Sequence, residues 1–161
     1  MLTLEQVCQF LYYEARLLDD RQWDAWLNCY SPKVVFWMPA WGDDDKTIGD
    51  PQREISLIYY PSRDGLEDRV YRIKTERSGA STPEPRTTHM ISNIEQLGEK
   101  EGGIEVRYNW VTYSHRYQHT DAYFGTTHCT LVEQDGQPLI TRKTVRLNND
   151  YIRQVIDVYH I

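Results

Sequence analysis

The sequence predicts an α+β fold in which N-terminal helices pack against one face of a strongly curved, mainly antiparallel sheet. Apolar residues recur at helical spacing through much of the first 76 residues, whereas the alternation typical of a half-buried strand dominates from residue 87 onward. Turn signals at 99–103 and 134–137 divide this second part into long segments. Such segregation of helices and strands favours α+β. A curved sheet closed by helices forms a cone, whose apolar interior either holds a ligand or is packed with side chains.

Three helices are predicted. The first follows a Thr3–Gln6 capping box and carries an apolar stripe that ends at Leu18. The third covers 64–76, where three apolar residues keep helical spacing. The second is short, ends before Pro32, and has four apolar residues at i, i+3, i+4 and i+7: Trp23, Trp26, Leu27 and Tyr30.

The strands predicted between and after these helices fill one domain, residues 1–161. Two short strands, at 34–38 and 55–60, each end at a proline. Four long segments follow at about 87–97, 104–118, 121–133 and 138–149, and a last short one at 155–159 is also read as extended. The polar stretches 42–51 and 78–88 are predicted to be loops.

Composition and charge exclude several classes of partner. The chain has 161 residues and a net charge of -6, so it is poorly suited to bind nucleic acid. Its apolar stretches are too short to span a bilayer, and the N-terminus lacks the pattern of a secretory signal. Three isolated cysteines form neither a disulfide framework nor a CxxC pair. These features indicate a cytoplasmic protein that binds neither membrane nor nucleic acid.

No metal site is predicted. Five histidines are present, but His115 and His119 belong to an extended segment, where four residues span about 13 Å and cannot share an ion locally. The acidic run 43–45 with Asp50 lacks the alternating ligands and central glycine of a calcium loop. No feature marks a cysteine as a reactive thiolate, and no glycine-rich phosphate loop is present.

One catalytic alternative remains open for the cone interior. A carboxylate in an apolar cavity has a raised pKa and can transfer protons, as in ketosteroid isomerase. This would make the chain a stand-alone dehydratase or isomerase, or a small-molecule binding domain. The candidate residues for this alternative are Asp24, Tyr30, His89, Asp121 and His128.

Several blocks resemble the small (beta) subunits of bacterial aromatic-ring-hydroxylating dioxygenases. The most specific block runs from Ile55 to Val70 and continues through 72–78 and 85–87. Further points of likeness lie at 14–20, 23–26, 36–41 and 155–160, so the resemblance covers essentially the whole chain. The benzoate/toluate 1,2-dioxygenase branch is closer than the anthranilate branch.

The resemblance implies both a fold and an assembly. The fold is a cystatin-like, NTF2-like cone, and the chain is expected to be the non-catalytic small subunit of the terminal oxygenase. A large (alpha) subunit in an α3β3 hexamer would hold the Rieske 2Fe-2S cluster and the mononuclear Fe(II), with NADH acting through a separate reductase. The reaction implied is cis-dihydroxylation of an aromatic acid. This sequence has no Cys-x-His pair and no two closely spaced Cys–His couples, so neither iron site is expected here.

A non-catalytic subunit of this kind functions through the surface with which it contacts neighbouring subunits. The block 55–87 combines tyrosines with arginines, the residue types enriched at the centres of protein interfaces. We therefore expect this block to contact a neighbouring subunit, although core packing with solvated charges explains it equally well. The predicted interface residues are Tyr59, Arg69, Arg77 and Arg86. No catalytic, cofactor-binding or metal-binding residue is predicted.

Overall fold

The computed structural model describes residues 1–41, 56–75 and 83–161. Three helices occur in this part of the chain: α1 (Leu4–Asp19), α2 (Trp23–Leu27) and α3 (Arg63–Lys74). The strands are β1 (Tyr30–Pro39), β2 (Ser56–Tyr60), β3 (Arg86–Lys100), β4 (Gly103–Arg116), β5 (His119–Gln134) and β6 (Gln137–Leu147). A short 3-10 turn covers Val158–His160.

The six strands form one curved sheet in the order β2-β1-β6-β5-β4-β3. Neighbouring strands are antiparallel except β1 and β6, which run parallel. The three helices pack with the buried face of the sheet into one core, which confirms the predicted α+β architecture. Large rings fill much of this core, among them the fully buried Trp26, Tyr30 and Phe36.

The first helix begins where the sequence predicts. The Thr3 side chain accepts a hydrogen bond from the Gln6 backbone, and the Gln6 side chain accepts one from the Thr3 backbone. The third helix is capped by Ser62, whose hydroxyl accepts from the backbone of Asp64. The acidic run 43–45, which is not expected to bind calcium, lies outside the described residues, as do the predicted loop 42–51 and residues 78–82 of the predicted loop 78–88.

Two predicted elements were wrong. Tyr30 does not extend the second helix but begins β1, because Ile140 of β6 donates a backbone hydrogen bond to the carbonyl of Cys29 and draws the chain into the sheet. Pro32 therefore lies inside β1. Proline has no amide hydrogen to donate, and it is tolerated here because the pairing of β1 with β6 shifts register between Tyr30 and Val35. The segment 155–159 is not a strand, since its residues from Val158 form the 3-10 turn.

Gly125 marks a close approach of two backbones in the sheet. It lies on β5 between Trp110 of β4 and Leu147 of β6. A Cβ atom added there would collide with the backbone carbonyl of Arg146, which cannot move aside as a flexible side chain could. Only glycine therefore fits this position.

We expect Gly125→Ala to lower the free energy of unfolding by about 3 kcal/mol, the upper range for overpacking a tight interior. Urea denaturation followed by circular dichroism measures the change. The control is Thr126→Ala, one position along, because the side chain at 126 lies on the other face of β5. Equal stability of the two variants would contradict a steric role for Gly125.

Candidate functional site

A buried ion pair lies at the centre of the cone. Glu14 of α1 and Lys143 of β6 are each about 2% exposed, and the Lys143 Nζ lies 3.2 Å from the Glu14 Oε1. The same carboxylate oxygen accepts hydrogen bonds from the Trp26 indole at 2.8 Å and from the Tyr30 hydroxyl at 2.6 Å. One oxygen thus joins α1, α2, β1 and β6.

Local sequence patterns place these charged groups in the interior. Glu14 falls on the buried stripe of α1, three residues after Leu11 and four before Leu18. Lys143 occupies a buried position of β6, two residues before the buried Val145. Its ammonium also lies 5.5 Å from the centre of the Phe36 ring, within cation–π range.

The surroundings of Glu14 keep its carboxylate ionised. Burial alone would raise the pKa of Glu14, but the Lys143 charge and the hydrogen bonds from Tyr30 and Trp26 outweigh it, so the pKa is lowered. The pKa of Tyr30 is raised well above its usual value, by burial first and by the Glu14 charge second. Tyr30 therefore remains a neutral donor, and the group acts as a fixed hydrogen-bonded charge pair.

A second polar contact joins the end of α1 to β3. The Asp19 Oδ1 lies 2.6 Å from the His89 Nδ1 and accepts a hydrogen bond from the Thr87 hydroxyl at 2.9 Å. The backbone amide of His89 donates to the Asp19 Oδ2 at 2.9 Å. Burial opposes ionisation of Asp19, yet these bonds and the His89 ring lower its pKa overall. This carboxylate orients the His89 ring, whose side chain is only 5% exposed.

A third polar contact holds the end of the chain. Arg69 of α3 donates hydrogen bonds to both carboxylate oxygens of the buried Asp157. The Asp157 side chain also accepts from the backbone of Val158, and the backbone of Asp157 donates to the His160 Nδ1 at 2.9 Å. Burial lowers the pKa of His160 to about 4. The 3-10 turn is thereby fixed against α3 and the sheet.

The five histidines are dispersed. His89 meets Asp19, His115 meets Thr120, and His160 meets the Asp157 backbone, while His119 faces Asp121 and His128 bonds Glu105. Within 1–41, 56–75 and 83–161, no group of three or more His, Cys, Asp or Glu could hold a metal ion. In the same ranges, no helix is long and apolar enough to cross a bilayer.

The cysteines are not activated nucleophiles. Cys29 and Cys129 are buried free thiols, and Cys8 is partly buried. Burial raises the pKa of Cys29 and of Cys129 to about 12, so both remain protonated at neutral pH. They act as small apolar groups of the core.

The candidates for proton-transfer chemistry do not converge on one place. Tyr30 belongs to the central charge pair, whereas His89 bonds Asp19. Asp24 is largely exposed beside Lys74, and Asp121 pairs with Arg153. His128 bonds Glu105 on the other face of the sheet. These five residues therefore form no single acid–base site.

The predicted interface residues occupy different surroundings. Tyr59 is partly buried on β2, opposite Trp37 of β1, and Arg86 is exposed at the start of β3. Arg69 is 17% exposed and holds Asp157, so a contact within the chain already explains it. Arg77 lies outside the described residues.

The outer face of the sheet carries an apolar surface that the sequence reading missed. Met90, Val111 and Phe124 lie side by side on β3, β4 and β5, and the next row places Tyr113 beside Ala122. Met90, Tyr113 and Phe124 are each nearly half exposed. We call these five residues the outer patch. Alternation in β4 could have indicated it, since Val111 and Tyr113 share the face opposite the buried Trp110 and Thr112.

We expect Lys143→Met to lower the free energy of unfolding by about 3–5 kcal/mol, because it leaves the Glu14 carboxylate buried without its countercharge. Adding Glu14→Gln should restore much of this loss, since the double variant buries no charge. Urea denaturation of the two single variants and the double variant gives the coupling free energy. Additive losses would show that the pair does not interact.

Acid should destabilise the protein through His160. Its pKa of about 4 lies below the ordinary value of 6.5, so between these pH values the unfolded state binds a proton that the folded state does not. The resulting stability is present above pH 6.5 and is lost, by about 3 kcal/mol, as the pH falls to about 4. Unfolding free energies measured from pH 7 to 4 should fall less for His160→Gln. Parallel curves for the two proteins would contradict this role.

Comparison with known proteins identifies the family. Residues 13–154 match the family model described as the ring hydroxylating beta subunit. The chain is 57% identical over 160 residues to the toluate 1,2-dioxygenase subunit beta of Pseudomonas putida, covering 99% of both chains. It is also 57% identical to the benzoate 1,2-dioxygenase subunit beta of Acinetobacter baylyi, covering 99% of this chain and 95% of that protein.

A solved structure agrees with this result. The crystal structure of the beta subunit of the benzoate 1,2-dioxygenase from Burkholderia mallei superposes with a TM-score of 0.84 at 48% identity. The match covers 100% of this chain and 99% of that one. The family resemblance inferred from the sequence and the helix-on-sheet architecture are both confirmed. The chain belongs to the family of ring-hydroxylating dioxygenase beta subunits.

Proposed function

We propose that this chain is the small, non-catalytic subunit of a benzoate-type terminal oxygenase, which cis-dihydroxylates an aromatic acid in aromatic catabolism. The observation that carries the proposal is its 57% identity, over nearly the full length, to beta subunits of toluate and benzoate dioxygenases. The chain would form one cytoplasmic domain that stabilises the assembly and shows no oxygenase activity alone.

The partner in this proposal is a large subunit in an α3β3 hexamer. That subunit would hold the Rieske 2Fe-2S cluster and the mononuclear iron, and a separate reductase would supply electrons from NADH. Cys29 and Cys129 remain protonated in the core, and His89 and His128 are bonded to carboxylates within the chain, which fits this division. Self-association of the small subunits into a trimer is part of the same proposal.

Two surfaces are candidates for the contact with neighbouring subunits. The first is the predicted set Tyr59, Arg69, Arg77 and Arg86, of which Tyr59 and Arg86 expose side chains at opposite edges of the sheet. The second is the outer patch, which presents aromatic and sulfur-bearing side chains in contact with solvent. Aromatic residues, methionine and arginine are enriched at interface centres, so both surfaces have suitable composition.

Co-expression with a benzoate-type large subunit should yield one complex that contains iron and oxidises benzoate when reductase and NADH are supplied. The small subunit purified alone should contain no stoichiometric iron and should not oxidise benzoate. Mass measurement with iron analysis tests composition, and oxygen uptake tests activity. Benzoate oxidation by the small subunit alone would refute the proposal.

Interface variants locate the contact in the same complex. Phe124→Asp should reduce recovery of the hexamer by at least tenfold if the outer patch is buried there, because a carboxylate would then enter an apolar contact. Arg86→Ala and Tyr59→Ala test the predicted set. Asp24→Ala, a change at a largely exposed side chain, is the control. If Phe124→Asp assembles normally, the outer patch is not the contact surface.

A further inference from the structure

A second apolar surface lies on the outer face of the sheet, at the edge opposite β3. Trp37 of β1 and Tyr59 of β2 are cross-strand partners, and both are partly buried. Val35 and Leu57 lie two residues away along the same strands and share that face, because side chains alternate along a strand. Leu57 is 41% exposed. We call these four residues the edge patch.

The edge patch has the composition and the rigidity of an interface. Its Trp37 indole donates a hydrogen bond to the Ser56 hydroxyl at 2.9 Å, so the ring is held in place before any partner arrives. A side chain that is already fixed loses little conformational entropy when it is covered. Trp and Tyr are also the residue types that most often carry the energy of protein binding.

A polar band separates the edge patch from the outer patch. The outward positions between them, on β6 and β5, are Arg142, Thr144, Arg146, Thr126 and His128. Three strand spacings, about 14 Å, lie between β1 and β4. Because the sheet curves around the helices on its buried face, its outer face is convex, and the two patches point in different directions. One flat partner therefore cannot cover both.

The partner that fits each patch is a second copy of this chain. Each copy has a net charge of -6, so copies repel one another and touch most favourably where neither surface is charged. Both patches consist of uncharged residues. The outer patch offers Phe124 and Met90, each nearly half exposed, and the edge patch offers a tryptophan and a tyrosine. Aromatic rings pack well against other rings and against methionine sulfur.

We propose that the outer patch of one chain packs against the edge patch of the next copy. Two different surfaces meet in such a contact, so each chain has one neighbour at each patch, and repetition around an axis closes a ring. In a closed ring every chain is held by two contacts, which compensates for the modest area of each. The inference rests on the self-association in the proposed function and assigns the surfaces that the trimer would use.

Leu57→Asp and Phe124→Asp should each weaken self-association of the full chain by at least tenfold, because each places a carboxylate in an apolar contact. Tyr12→Asp is the matched control, since Tyr12 is a 47% exposed ring on α1, outside both patches. Sedimentation equilibrium measures the association, and circular dichroism checks that each variant is folded. A loss with Phe124→Asp alone would indicate a symmetric contact through the outer patch. That result, or no loss with either variant, overturns the proposal.

Cross-linking locates the contact without placing a charge in it. Leu57→Cys and Tyr113→Cys, combined in one chain with Cys8→Ser, put a thiol on each patch, while Cys29 and Cys129 stay buried. Within a chain the two new thiols lie on β2 and β4, four strand spacings or about 19 Å apart. A shorter thiol cross-linker therefore joins them only between copies.

The double-cysteine chain should form covalent trimers, both alone and in the complex with a benzoate-type large subunit, and neither single-cysteine chain should be linked. A linked dimer of a single-cysteine chain, or no linkage of the double-cysteine chain in either setting, overturns the contact. The proposed function is tested separately in the same preparations. It fails if the wild-type chain forms no iron-containing complex with the large subunit, whatever the cross-linking shows.

Discussion

The buried Glu14–Lys143 pair is the contact on which the arrangement of helices and sheet depends. Apolar side chains tolerate many packings of similar volume, but a buried charge is tolerated only beside its partner. With one Glu14 oxygen bonded by Trp26, Tyr30 and Lys143, the first helix must lie where all three donors reach it. The pair thereby selects one register of β6 relative to β1 and one position of α1 over the sheet.

Two further contacts fix the ends of the elements that the central pair leaves free. Asp19 at the end of α1 holds His89 and Thr87 of β3, and Arg69 of α3 holds Asp157 next to the final turn. Each contact joins residues more than 65 positions apart in the chain, so the fold is closed by polar links of long range. The charged groups of these three contacts are thus committed to holding helices, sheet and final turn in place.

Local patterns predict the parts of this fold that local forces determine. Capping of α1, the apolar stripe of α3 and the turns at Glu101–Gly102 and Asp135–Gly136 follow from neighbouring residues, and the structure has them. The turn at Tyr117–Gln118 has two residues with positive φ angles, and neither is glycine or asparagine. The sequence therefore contains no signal that marks this turn. Tyr30 was misplaced because its strand conformation depends on Ile140, far along the chain. The pairing of Glu14 with Lys143 likewise requires the tertiary fold, although a glutamate on an apolar stripe was a detectable signal.

The outer face of the sheet combines paired charges with an apolar surface, and this combination affects how the subunit can bind its neighbours. Towards the β3–β4 turn, charged side chains on the strands and in the turn are paired within the chain, as in Arg107–Glu95, Lys100–Glu105 and Arg142–Glu101. Paired surface charges contribute little to binding and orient a partner weakly. The outer patch, in contrast, is apolar and has no ion pairs of its own. It leaves Met90, Tyr113 and Phe124 exposed to water, which is unfavourable for the subunit alone. A partner that covers this patch gains apolar burial without separating an ion pair, whereas one that covers the charged end gains little. Binding at the outer patch would therefore depend mainly on shape and apolar area and respond only weakly to salt.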